Sequence, residues 1–281
     1  AAGLPRGLWR NAGSTLRAAT ERMCNGHGTL ETGVPSAGCG AAVRCVPLGL
    51  ATPGDAAALS AAAIACALQT HADTRAIGGA VGVAYLVRRL ASGEGEQDPA
   101  AALLEAATLT YEAEEQMAAV CRQPPATRMA GAPRLGDSLL LLSSLLEAPQ
   151  HEALRAILLQ AGRLQPSRPL SGPGDGFAPA AVPTAVWLAL NLPSLEEAVV
   201  EAVNLGGDAA HLGALTGALA GARWGEDAIP ARWLERLHNR EAIAGRATAL
   251  VSDIKGGEGR QELGQAERPL SLALVRVREG W

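Results

Sequence analysis

Three short stretches carry residues whose types and spacing suit chemistry. The longest reads Asn204-Leu-Gly-Gly-Asp208-Ala-Ala-His211 and continues through small residues to Gly225. Gly206 and Gly207 permit backbone angles closed to other residues and let another group approach the main chain. Asp208 stands where the turn enters a helix, a position at which a carboxylate caps free N–H groups or holds a cation. Asp208 and His211, at i and i+3, share a helix face and could form a small metal or acid–base pair. From residue types alone, the simpler reading is an Asp that caps its own helix. Beyond it, Gly213, Gly217 and Gly221 recur every four residues and predict a close helix–helix contact. The rest of the chain is expected to organise around this stretch.

The second stretch is Gly38-Cys39-Gly40-Ala-Ala-Val-Arg44-Cys-Val-Pro47, a Gly-flanked loop feeding a short helix that Pro47 bends or ends. Exposed N–H groups of such a loop could receive phosphate or ribose oxygens. The third is Thr70-His71-Ala-Asp73, at a junction between helices, where a lone His is commonly a satisfied structural group. Asp55, Asp73, Asp137 and Asp175 fall at loop or cap positions and are read as structural. No His-Glu-x-x-His, Gly-x-Ser-x-Gly, Walker or dinucleotide fingerprint occurs. No residue is assigned a catalytic role.

The elements that position these stretches read as helices. Ser14–Cys24 is one, with Leu16, Ala19 and Met23 on a face and Gly26 as its stop. Thr52-Pro53-Gly-Asp55 opens another, with Thr52 as cap and the acid in the first turn. A helix follows Asp73 with Ile77, Val81 and Ala84 inward, and Asp98-Pro99 caps one extending to Cys121. Further helices are expected over Ser138–Leu146 and from Glu152 to Leu159. Ser194-Leu-Glu-Glu197 is a capping box, and Asn239–Asp253 is the last helix. The Pro- and Gly-rich segment Gly162–Pro179 is long enough for a lid or binding loop. There is no strand–helix alternation, so the expected fold is an all-α bundle over residues 1–254. Residues 255–281 are expected to be a tail, with a weak alternation over Leu270–Arg278.

Composition bounds the function. At 281 residues and 48% hydrophobic the chain can bury a substantial core, yet only 3% is aromatic, so that core is built from Ala, Leu and Val. A net charge of −4 argues against a nucleic-acid partner. The apolar runs Ala56–Leu68 and Leu139–Leu146 fall short of the roughly 18 residues that span a bilayer. Five cysteines (24, 39, 45, 66 and 121) lack the paired spacing of a zinc site, and free thiols in a reducing cytoplasm are the expectation.

With the downstream Ile229-Pro230-Ala-Arg-Trp233, these stretches resemble the ADP-ribosylglycohydrolase family, hydrolases that release ADP-ribose from modified proteins. That family carries a Gly-Gly-Asp-x-Asp-Thr turn, a Gly-Asn-Gly-Ala-Ala-Met-Arg loop before Pro-Leu-Gly, and a Thr-His junction near the nucleotide. Here the second Asp and the Thr are Ala210 and His211, the Asn is Cys39 and the Met is Val43. The resemblance runs from about Arg6 to Asp253 and implies a compact helical bundle. It implies a substrate site at Gly38, Cys39, Gly40, Arg44, His71, Gly206 and Gly207, and metal binding at Asp208. It implies ADP-ribose or an ADP-ribosylated protein as partner and two magnesium ions as cofactor. The family's first quarter normally adds a catalytic acid and a Thr-Asp-Asp-Thr metal turn, and this sequence is read as beginning just after it. With one carboxylate left at the turn, a magnesium pair is not expected here. The resulting expectation is a family member impaired in hydrolysis. The alternatives are a degenerate nucleotide binder or a scaffold without catalysis, as in the lens-protein branch.

Overall fold

The structure, a computed structural model, describes residues 12–52, 54–121 and 133–251. Its elements in chain order are α1 (Ser14–Cys24), α2 (Gly40–Cys45), α3 (Leu48–Ala51), α4 (Ala56–Leu68), α5 (Thr74–Ala91), α6 (Glu94–Gln97) and α7 (Pro99–Met117). There follow α8 (Leu135–Ser143), α9 (Gln150–Arg163), α10 (Ala178–Asn191), α11 (Leu195–Asn204) and α12 (Ala209–Trp224). A 3-10 turn at Glu226–Ala228, then α13 (Ala231–Leu234) and α14 (Arg240–Val251), complete the described chain. Extended pairing among the described residues is limited to two isolated bridges, Val34 with His71 and Gly38 with Phe177. The fold is all-α.

The organising element is α5, not the stretch from Asn204 to Gly225. Every residue from Thr74 to Val87 is buried, and α2, α4, α7, α10 and α12 all pack against it. A helix apolar or small on all sides belongs in the middle of a core. Gly78 and Gly82 make the closest approach possible. A Cβ at Gly82 would stand 2.8 Å from Leu139 Cδ1 and from Thr110 Oγ1, so only bare backbone admits α7 and α8 there. By contrast α12 buries a single stripe, Leu212, Leu215, Thr216, Leu219 and Ala220. The expected small-residue contact holds for two of its three glycines. A Cβ would meet Val203 Cγ1 at 2.9 Å from Gly213 and Val199 Cγ2 at 3.4 Å from Gly217, both on α11, whereas Gly221 meets nothing within 4 Å.

Side-chain caps mark the starts of α4, α5, α7 and α11. Asp98 accepts from Ala101 N–H, with Pro99 opening α7, and Ser194 accepts from Glu197 N–H at the start of α11. Asp55, not Thr52, caps α4, because its carboxylate reaches Ala58 N–H at 2.9 Å. Four helices have limits other than those expected: α7 ends at Met117, α8 begins at Leu135, α9 runs Gln150–Arg163, and α14 is described as Arg240–Val251. The early start of α8 has a specific cause. Asp137 accepts from Arg134 N–H, and the buried Glu114 of α7 accepts from Leu135 and Gly136 N–H. No helix among the described residues is long and apolar enough to cross a membrane. The tail (255–281), with the alternation over Leu270–Arg278, lies outside the described residues.

Candidate functional site

The segment 34–39 threads between two others and sets the site. On one side Val34 N–H donates to Thr70 O at 3.1 Å, and Ala72 N–H donates back to Val34 O at 2.8 Å. On the other, Cys39 N–H donates to Gly176 O at 2.9 Å and Ala178 N–H to Ala37 O at 2.8 Å. The Gly-flanked loop, the Thr-His junction and the end of the long loop before α10 are thereby held edge to edge. The turn before α12 joins them through Asp208 N–H, which donates to Gly174 O at 2.7 Å.

These contacts frame two adjoining cavities of about 490 and 430 Å³, which share Ser14, Thr15, Gly38, Gly176 and Asp208. The smaller is lined by Cys39, Gly40, Arg44, Thr70, His71 and His211, and the larger by Ser36, Arg75, Arg168, Asp175 and Phe177 among others. Six residues expected at the site, Gly38, Cys39, Gly40, Arg44, His71 and Asp208, therefore meet in one cleft. Gly206 and Gly207 do not line it. Gly207, at φ +65°, backs onto Gly174, where an added Cβ would stand 2.4 Å from the carbonyl oxygen. The glycine pair thus shapes the turn that presents Asp208, from behind the wall.

Two further expectations change. Asp208 occupies the N-cap position of α12, but its side chain makes no cap bond. Its Oδ1 instead pairs with His211 Nδ1 at 2.8 Å, so the i, i+3 pair forms and the self-cap does not. The Cys39 N–H, one of the donors expected to face a ligand, is committed to Gly176. Arg44 is partly committed as well, its Nη2 donating to Cys66 O at 2.7 Å.

The long loop lines the larger cavity with Arg168, Asp175, Gly176 and Phe177, and two ion pairs, one of them buried, fix it. Arg75 bonds both oxygens of Asp73 (2.9 and 2.7 Å) and donates to Leu164 O and Gln165 O at 2.6 and 2.9 Å, tying the loop start to α5. Asp175 accepts from Ser171 N–H and Oγ, from Phe177 N–H and from Arg168, closing the loop end. Burial pushes the Asp175 carboxyl up, but these donors outweigh burial and hold it below the usual range. Both acids hold the loop through these bonds, and both also line the larger cavity. Sequence reasoning missed Arg75 and the cleft role of Ser14, Thr15 and Ser36, which only long-range pairing reveals.

His71 is 5% exposed, and its Nδ1 bonds Thr70 Oγ1 at 2.7 Å, leaving Nε2 towards the cleft. Burial first, then the Arg44 charge, lowers its pKa from 6.5 to about 4. A ring that stays neutral when folded but charges when unfolded loses stability as pH falls from 6.5 towards 4. Glu114 acts oppositely: burial raises it from 4.5 to about 7, so it subtracts stability as pH rises through that range. The two slopes oppose between pH 4.5 and 6.5, which predicts a muted profile for the native chain. In Glu114→Gln, stability measured by urea unfolding should rise with pH across that window. A flat profile in the variant would contradict the assignment.

Burial likewise pushes the Cys39 thiol up to about 12, helped by the Asp208 charge. One donor atom each from Cys39, Asp208 and His211 lies within 4.8 Å of the other two. Magnesium prefers six oxygens in octahedral array. At this turn the chain offers one carboxylate, a sulfur and an imidazole, with Ala210 beside them offering nothing. The donors present at this turn do not fit a magnesium pair.

The geometry can be set beside known proteins. A profile described as ADP-ribosylglycohydrolase matches residues 3–260, most of the chain. The chain belongs to the ADP-ribosylglycohydrolase family. Among similar proteins, an uncharacterized protein of Archaeoglobus fulgidus is 28% identical over 241 residues, covering 86% of this chain and 67% of the relative. The ADP-ribosyl-[dinitrogen reductase] glycohydrolase of Rhodospirillum rubrum is 26% identical over 228 residues, 81% of this chain and 60% of its own. The ADP-ribosylarginine hydrolase Tri1 of Serratia proteamaculans is 32% identical over 97 residues, 34% of this chain and 26% of its own. A solved structure titled ADP-ribosylglycohydrolase-related protein complex matches with a TM-score of 0.60 at 29% identity, covering 88% of this chain and 71% of that one. The chain thus spans between about a quarter and two thirds of these sequence relatives, and the family's helical fold extends across its described length.

Proposed function

We propose that the cleft binds the ADP-ribose group, presented by an ADP-ribosylated protein, and that this chain does so without two-magnesium hydrolysis. One observation supports the reading above others. Gly38, Cys39, Gly40, Arg44, His71 and Asp208, far apart in sequence, line one cavity of about 430 Å³, a size suited to such a ligand. Relatives named for releasing ADP-ribose from proteins point to the same ligand class. The limited oxygen donors at Asp208 argue that binding outlasts catalysis. Without a magnesium pair to order the distal ribose, affinity should be weak, on the order of 0.1 mM or poorer, or about −5 kcal/mol.

The second reading is hydrolysis, favoured by those relatives' names. A release assay on ADP-ribosylated arginine with millimolar Mg²⁺ separates the two. The binding reading expects no turnover above the uncatalysed rate. Turnover that Mg²⁺ supports would replace it with hydrolysis, and failure of ADP-ribose to bind at all would leave only a scaffold.

A further inference from the structure

We infer that Cys39, Asp208 and His211 form a mononuclear site for Zn²⁺ in the wall of the cleft. The inference goes beyond ADP-ribose binding and does not depend on it. Two departures from the family's pattern, at positions 39 and 211, lie 172 residues apart. In space they meet beside the retained Asp208, with one donor atom of each residue inside 4.8 Å. Together they exchange oxygen donors for a sulfur and a nitrogen, a set that suits zinc, cobalt or nickel and not magnesium.

The ligands are held by the fold. Cys39 is 2% exposed at the start of α2, pinned through its N–H to Gly176. Asp208 Oδ1 and His211 Nδ1 already stand 2.8 Å apart, so an ion can take the place of the proton between them and be held by both. The ring borders the cleft beside Gly40: His211 Nε2 lies 3.9 Å, and His71 Nε2 3.7 Å, from where a Cβ on Gly40 would sit. A tetrahedral ion with bonds of about 2.0–2.3 Å draws its donors to about 3.5 Å apart. His211 and Asp208 are part-exposed and free to close that gap, with side-chain exposures of 47% and 38%. Three protein ligands leave a fourth position for water or a ligand oxygen, the pattern of an open zinc site.

The test is a Co²⁺ titration of the chelator-treated full chain in a reducing buffer without thiols. The expected result is one Co²⁺ per chain with a near-ultraviolet thiolate-to-cobalt band, displaced by one equivalent of Zn²⁺ and unaffected by millimolar Mg²⁺. Cys39→Ser should lose the band, and His211→Ala, on an exposed helix face, should weaken binding at least tenfold. Absence of saturable binding would overturn the inference. So would a band that survives Cys39→Ser, or affinity unchanged in His211→Ala. ADP-ribose titrated in parallel reads the cleft separately: the cobalt signature without nucleotide binding supports the metal site and sinks only the nucleotide reading.

Discussion

Gly207→Ala should destabilise the chain by about 3 kcal/mol or more, far beyond Gly206→Ala one residue earlier. At Gly207, φ is +65° and an added Cβ would fall 2.4 Å from Gly174 O and 2.7 Å from Gly174 C. The left-handed backbone costs a side chain about 1–2 kcal/mol, and overpacking against rigid main chain adds about 1–3. Relief requires the two crossing segments to part, which lengthens the 2.7 Å bond from Asp208 N–H to Gly174 O. Gly206 has φ +73° but open space around its Cβ position, so its variant loses only the conformational share, about 1–2 kcal/mol. Urea midpoints at constant slope measure both. Equal losses would show that the crossing at Gly174 tolerates a side chain, and the account of how Asp208 is presented would fail.

Asp175→Ala should cost about 3 kcal/mol or more at neutral pH. Its carboxylate, 1% exposed, accepts from two backbone N–H groups, a hydroxyl and Arg168. The guanidinium partner is 62% exposed and its ion pair is worth little. Most of the loss comes from the N–H groups of Ser171 and Phe177 left without an acceptor, each about 1–3 kcal/mol. Because the folded carboxyl lies below its ordinary 3.8, this stabilisation is present above that pH and fades as pH drops through the folded value. Variant and native chain should therefore differ most in urea at neutral pH, and the gap should narrow in strong acid. A gap that does not narrow in acid would assign the effect to hydrogen bonding and packing instead of charge.

Local chemistry made much of the fold legible. Asp98-Pro99 and Ser194-x-x-Glu197 place helix starts because a cap and its N–H groups are neighbours in sequence. The polar cleft residues were legible as loop-to-helix junctions, and the family resemblance ordered them. What escaped depended on distant partners. Arg75 holds a loop ninety residues away (Gln165), which no local pattern encodes. Asp208 has the residue type and position of a cap, yet the Gly206-Gly207 turn hands its carboxylate to His211. Cys39 had no metal-like spacing because its companions lie on α12. The centrality of α5 was hidden because small residues buried on all sides leave little periodicity to read.

The central claim is that Gly38–Arg44, His71 and Asp208 form one ADP-ribose cleft. Gly40 offers the cleanest test. A Cβ there would meet the His71 ring at 3.4 Å and His211 Nε2 at 3.9 Å, ordinary contacts that let the chain fold while filling the space between the imidazoles. Calorimetric titration of ADP-ribose into the native chain and into Gly40→Val is the decisive comparison. The account predicts saturable binding on the order of 0.1 mM for the native chain and none for the variant with unchanged helicity. Equal binding by both, or by neither, would contradict it.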